Sequence, residues 1–299
     1  MNTIKYTIIL SFALLVASCS SGKSSFDATG TFEATEVVVS AEATGKILNF
    51  NIEEGQIINI HQEVGLIDSL QLYLQKMSML ANAEGVRIQR PDIKTQTAAI
   101  LEQIETLKRE KERTIKLIEA NAANSKQLDD INSQIEVLQK QLSAQTSSLQ
   151  KSSANIGAQS SALEIQVAQL EDMIEKCKIT SPISGTVINK YAEAGELANA
   201  GKPLFKVADL QSMYLRAYIT NDQLVQLKLN DNLNVFVDAG NGEMKKYEGT
   251  ISWISDKSEF TPKTIQTKNE RANLVYAVKI AVKNDGYLKI GMYGEVSFN

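Results

Sequence analysis

An elongated fold of mixed α and β structure is predicted, in which a β domain is split by a long α-helical coiled-coil hairpin and followed by a small C-terminal β-barrel. Three observations carry this expectation. Between Gly85 and Gly185 the single glycine is Gly157, and the chain holds only 4 Pro, so that stretch runs nearly free of helix breakers. Residues 45–70 and 185–210 resemble each other at an offset of 140 without a gap. From Met213 onward apolar and polar residues alternate with a period of two, as half-buried strands require.

Composition narrows the function classes. The 299 residues carry 31 Lys+Arg against 35 Asp+Glu, a net charge of −4, which gives no electrostatic footprint for nucleic acid. One His and 2 Cys cannot build a closed zinc site or a His-based triad with any redundancy. No residue set suggests catalysis, a metal or a cofactor. The lone His61 falls in a turn, where a solvated role is expected.

The N-terminus reads as an address. Lys5 precedes the apolar run Tyr6–Ala17, which is too short to span a bilayer and fits a secretory signal core. Val16-Ala17-Ser18-Cys19 then resembles the bacterial lipobox, which makes residues 1–18 a lipoprotein signal peptide and Cys19 the lipidation site. Acylation there would give durable membrane attachment. Residues 19–29, Ser- and Gly-rich over Ser20–Ser25, form the tether. Cys177 is left as the only other thiol, so no disulfide framework is possible.

The split β domain follows from the repeat. Gly45/Gly185, Asn49/Asn189, Glu53/Glu193, Gly55/Gly195, Asn59/Asn199 and Leu70/Leu210 are identical, and apolar pairs such as Ile47/Val187 keep the strand positions. Residues 30–69 supply an N-terminal barrel strand and the first half; residues 177–210 supply the second. Such halves resemble those of a biotinyl/lipoyl domain. Neither a Met-Lys-Met nor an Asp-Lys-Ala triplet occurs, so the cofactor-carrier reading lacks its acceptor lysine.

Residues 70–176 make the hairpin. Positions 128, 131, 135, 138, 142, 145, 149, 152, 156, 159, 163, 166, 170, 173 and 177 follow a heptad and are mostly Leu and Ile, the seam of a coiled coil. Gln145, Ser152, Gln159 and Gln166 thin that seam in the middle. In the first arm, Leu70, Tyr73, Met77 and Leu80 start one helix, and Ile93, Ile100, Ile104, Leu107 and Ile118 mark another. Asn121–Asn124 is the expected turn, with Asn124 or Ser125 capping the next helix. Pro91 must disturb the first arm opposite Ser152–Gly157, so both arms are expected to break at one level.

Residues 211–299 carry the barrel strands, with turns at Gly240-Asn241-Gly242 and Asp285-Gly286. A strand around Thr31–Val39 is expected to complete the barrel, and Lys257–Glu270 reads as a long exposed loop.

Lipid anchor, half-lipoyl motif, helical hairpin, second half and barrel, in that order, resemble the HlyD-type membrane fusion proteins, periplasmic adaptors of bacterial efflux and secretion pumps. Supporting segments are Ile179-Thr-Ser-Pro-Ile-Ser-Gly185, Gly201-Lys-Pro-Leu204 and Gly291-Met-Tyr-Gly294. The resemblance implies an inner-membrane transporter and a TolC-like outer-membrane channel as partners, and self-association as a hexamer. It places the chain in the periplasm of a Gram-negative bacterium, lipid-anchored, with the inner membrane favoured. In the family the hairpin tip carries an Arg, a Leu four later and a Ser seven beyond that, which meet the channel. Arg113 and Leu117 match; Asn124 stands at the Ser position, with Ser125 next to it. The close at Asn299 is similar to shorter members, many of which serve ABC-type exporters. A purely structural lipoprotein would explain the helices but not the split repeat.

Overall fold

The computed structural model describes residues 26–260 and 274–298. The signal segment, Cys19 and most of the tether lie outside the described residues. The first strand, β1 (Ala28–Ser40), already joins two domains. Its first part pairs with β8 (Pro203–Ile219) from Thr29↔Tyr218 to Ala34↔Met213, and its second part from Thr35↔Asp209 to Ser40↔Pro203. Leu210, Gln211 and Ser212 have no partner on β1, so β8 bulges at the junction. Asn284 holds the bulge, its amide donating to the Leu210 carbonyl at 2.8 Å and its backbone N–H to that of Gln211 at 2.9 Å.

On one side of the bulge lies the split β domain. The first half contributes β2 (Gly45–Phe50), β3 (Ile57–Ile58) and β4 (Glu63–Ile67). After β5 (Lys178–Thr180), the second half contributes β6 (Gly185–Lys190), β7 (Leu197–Ala198) and the start of β8. The halves exchange strands: β2 pairs with β7, and β3 with β6. Their hydrogen bonds obey the same offset as the sequence. Gly55 N–H donates to Val187 and Gly195 N–H to Ile47, both at 2.8 Å, while Val187 N–H donates to Gln56 and Ile47 N–H to Glu196, both at 2.9 Å. Gly55 and Gly195 take φ of 88° and 95°, the left-handed region that makes each Glu-x-Gly turn. The correspondence reaches further than the residue identities, since His61 N–H bonds to Ser181 as Gly201 N–H bonds to Ala41. His61 accepts the left-handed backbone, at φ 60°, that glycine provides in the other half.

Between the halves sits the core: Ile47, Phe50, Ile58, Ile67, Val187, Leu204, Phe205 and Val207 are all buried. Each such side chain contributes about 1.5–3 kcal/mol by leaving water. Cys177 is buried with them, and desolvation, helped by the Asp68 carboxylate, pushes its thiol pKa up.

Beyond the bulge, β8, β1, β13 (Tyr293–Ser297), β9 (Asn232–Gly240), β10 (Glu243–Ile254) and β12 (Leu274–Lys283) follow one another in the sheet, and β12 pairs back to β8. This closes a six-stranded barrel around Phe32, Met213, Leu215, Ile219, Val235, Ile251, Ile280 and Val296. β9 and β10 meet at a two-residue turn, Asn241 and Gly242, with φ of 55° and 80°. The expected loop from Lys257 is corrected at its start. Glu259–Phe260 forms a short strand, β11, on β12, because the backbone there continues the pairing edge left open after Ile254. The rest of that stretch lies outside the described residues.

The hairpin comprises α1 (Leu70–Arg87), α2 (Ile93–Glu119) and α3 (Ser125–Glu175). Pro91 interrupts the first arm, and Asp92 restarts it as an N-cap whose carboxylate accepts from Thr95 N–H at 3.2 Å. The break lies where the sequence places it, since a Cβ on Gly157 would meet the Arg90 guanidinium at 3.0 Å. The expectation of a break in both arms is corrected. α3 is one unbroken helix of 51 residues, because its single glycine costs about 1 kcal/mol and does not stop a helix packed along its length.

The seam also needs correction. Leu128, Ile131, Ile135, Leu138 and Leu142 face the first arm as expected; the next contact is Thr146, not Gln145. From there Ser153, Ser160, Val167 and Ile174 are inward, and Ser152, Gln159, Gln166 and Met173 are exposed. Positions three and four apart lie to either side of one 3.6-residue turn, and beyond Leu142 the inward position moves one residue along, from 145 to 146, and repeats every seven from there. The seam is therefore lined by small residues in its middle rather than interrupted by glutamines.

A short ladder fixes the hairpin to its base. Leu66 pairs with Lys178 and Ile67 N–H donates to the Cys177 carbonyl at 2.8 Å, so the entry and exit strands end side by side. Deleting residues 70–176 and joining the ends by a short turn is expected to leave a folded β protein. Circular dichroism should show loss of the helical signal with a cooperative thermal transition retained. An unfolded product with every linker length would show that the two halves need the hairpin.

Candidate functional site

The hairpin tip is built by two capping devices. α2 ends in a Schellman motif: Asn121 takes φ 55°, its N–H donates to Ile118 at 2.9 Å, and Ala122 N–H donates to Leu117 at 2.8 Å. α3 begins at Asn124, whose side-chain oxygen accepts from Lys126 N–H at 2.7 Å. Asn and Ser are comparable N-caps, so Asn124 satisfies the helix end in the way a serine would. Ser125 is the first helical residue and is exposed.

The α2 seam contains Ile93, Thr97, Ile100, Ile104, Leu107, Lys111, Thr114 and Ile118, each buried or half-buried. Ile118 closes its last layer; Leu117 is one position aside and 44% exposed. Arg113, one turn before Leu117, is exposed and bonds Glu110 at 2.9 Å. The tip therefore presents a guanidinium and an isobutyl group on one helix face. Asn124 is not brought into that pair as a free contact group, since its oxygen is engaged in the cap. Between Arg113 and Leu117, Thr114 is 1% exposed and its hydroxyl has no partner, a polar group enclosed in the seam.

A second surface escaped the sequence reading. Leu70, Tyr73, Met77 and Leu80, the residues that mark the start of the first arm, are 58%, 49%, 46% and 40% exposed, with Leu74 beside them at 52%. The face turned to α3 holds Leu72, Lys76, Met79, Ala83 and Val86, with Lys76 bonded to Glu171 at 2.9 Å. The apolar stripe was legible; the direction it faces was not. Ile165 and Met173 of α3, on either side of Glu171, are 62% and 48% exposed. Farther out, Leu107, Val137 and Leu138 line an open groove along the α2–α3 contact.

Among the described residues no cluster of His, Cys, Asp and Glu could hold a metal ion, and no helix is long and apolar enough to cross a membrane.

Residues 35–210 match the family model described as RND MFP, barrel-sandwich hybrid domain. A UPF0194 membrane protein of Citrobacter koseri is 26% identical over 292 residues, covering 90% of this chain and 87% of that protein. The UPF0194 membrane protein YbhG of Salmonella paratyphi B is 32% identical over 127 residues, 42% of this chain and 38% of that one. Among solved structures, MacA from Actinobacillus actinomycetemcomitans has the same fold, with a TM-score of 0.54 at 22% identity over 90% of this chain and 76% of that chain. The membrane fusion protein Spr0693 from Streptococcus pneumoniae R6 reaches 0.50 at 16% identity, covering 90% and 97%.

Proposed function

The chain belongs to the membrane fusion proteins, a family of periplasmic adaptors, and from that membership we propose that it links an inner-membrane transporter to an outer-membrane exit channel. The observation that carries this reading is the uninterrupted second arm with an exposed Arg113–Leu117 pair at its tip. Its 51 residues extend about 77 Å at 1.5 Å per residue, enough to carry a contact surface far from the barrel. Arg113, Leu117 and Ser125 would meet a TolC-like channel, with Asn124 shaping the turn. The protein acts by assembly and not by catalysis, and takes no cofactor. An ABC-type exporter is the transporter class favoured. Purifying the native protein from membranes should bring down an integral-membrane transporter. Recovery without one, under conditions that preserve other membrane complexes, would overturn the reading.

Several copies, six by family analogy, would stand side by side around the transporter. The α1 stripe supports this: it offers one copy an apolar face that the exposed Ile165 and Met173 of a neighbour can cover, a head-to-tail contact of the kind from which rings are built when the rotation closes. Leu74→Glu with Met77→Glu is expected to reduce chemical crosslinking to monomers while shifting stability by no more than about 0.5 kcal/mol, because both positions are exposed. Unchanged crosslinking would remove the stripe from the interface.

Attachment to the membrane rests on Cys19. Labelled palmitate is expected to enter the native protein and not Cys19→Ala. Equal labelling of both would remove the anchor.

A further inference from the structure

The barrel has two unlike ends. One adjoins the β8 bulge and the split domain; the other gathers the first described residues, the short helix α4 (Asn221–Leu224) and the β11–β12 edge. Asp27 is fixed at this far end: its N–H donates to Val296 at 2.8 Å, and its carbonyl accepts from the Gln223 amide at 2.6 Å. Four large apolar side chains are exposed here, Val225 at 81%, Phe260 at 80%, Leu229 at 58% and Leu274 at 53%. Phe260 and Leu274 stand opposite each other across the β11–β12 pair, so they share a face. Glu259 beside them is paired with Arg216 at 3.5 Å.

We propose that this end of the barrel docks on the bilayer surface, with Val225, Leu229, Phe260 and Leu274 entering the interfacial layer. The length of chain ahead of Asp27 selects this occupant. From Cys19 to Phe26 is seven residues, which span at most about 25 Å when fully extended. An anchor at Cys19, or retention of the Tyr6–Ala17 segment in its place, therefore keeps this end of the barrel within about 25 Å of the membrane. Apolar groups held within that distance enter the interface because burial removes them from water, without help from charge.

The proposal rests on the membrane attachment in the preceding reading, and the test separates the two. Val225→Cys, Phe260→Cys and, as a control on the hairpin, Val137→Cys accept a nitroxide label in the full-length acylated protein; Cys177 is buried and stays unlabelled. The protein is reconstituted in vesicles of phosphatidylethanolamine and phosphatidylglycerol. Labels at 225 and 260 should collide severalfold less with an aqueous nickel chelate and more with oxygen than the label at 137. Equal nickel accessibility at all three sites in protein that floats with the vesicles would overturn docking and leave the anchor intact. Shielding that appears only after the transporter is added would also overturn it, assigning the surface to protein. Failure to float would instead reject the attachment itself.

Discussion

Gly30→Ala is expected to destabilise the barrel by about 3 kcal/mol or more, the upper range for overpacking a close-packed site. A Cβ at this position would lie 2.1 Å from the Arg216 carbonyl oxygen, 2.6 Å from its carbon and 2.7 Å from the Ala217 Cα. All three are backbone atoms of β8, so no rotamer relieves the clash and the strands must part. Gly30 pairs with Ala217 on one side and with Gly294 on the other. Parting them opens the barrel wall and loosens the strand pair that runs on into the split domain. Against a total stability of about 5–15 kcal/mol this is a large fraction. The chain's single tryptophan, Trp253 on β10, reports the transition in urea. A midpoint within error of the parent would mean that β1 and β8 do not approach as described. Gly55→Ala is the contrast: its Cβ would meet nothing within 4 Å, and the cost of about 1 kcal/mol comes only from its φ of 88°.

Arg113→Asp is expected to abolish export and crosslinking to the outer-membrane channel, with thermal melting and transporter binding unchanged. Arg113 is 70% exposed and its bond to Glu110 is a surface pair, worth about 0–1 kcal/mol. The substitution reverses the charge at the proposed joint and removes the planar donor set that suits a carbonyl or carboxylate rim. Leu117→Ser and Ile118→Ser sharpen the test. Leu117 lies outside the seam, so its loss should impair export at nearly full stability, whereas Ile118 closes the last layer and its loss should lower stability. Full export by Arg113→Asp at native expression would remove the tip assignment and leave membership of the family untouched.

The sequence by itself determined whatever depends on neighbours along the chain. The repeat at an offset of 140 became two halves joined by matching hydrogen bonds, because identical short-range patterns make identical turns and strands. Ile93, Ile100, Ile104, Leu107 and Ile118 lie in the α2 seam as their spacing requires. Asn121–Asn124 forms the turn, since both of its capping devices act within a few residues. Val167 and Ile174 were also legible as more apolar than Gln166 and Met173, but a strict heptad passed over them.

Only the tertiary structure decided which way these patterns face. α1 carries apolar residues on two sides, Leu72, Met79, Ala83 and Val86 on one and the stripe from Leu70 to Leu80 on the other, and spacing does not state which side is left uncovered. α1 turns that side away from α3 because its ends are already fixed by the β4–β5 ladder below and the Pro91 break above. The passage of β1 through both domains was hidden for the same reason. Its two parts read as one alternating strand, and the bulge that assigns them to different cores lies on β8, some 170 residues away along the chain. A helix or strand is selected by local spacing, whereas its partner is selected by burial summed over residues far apart in sequence.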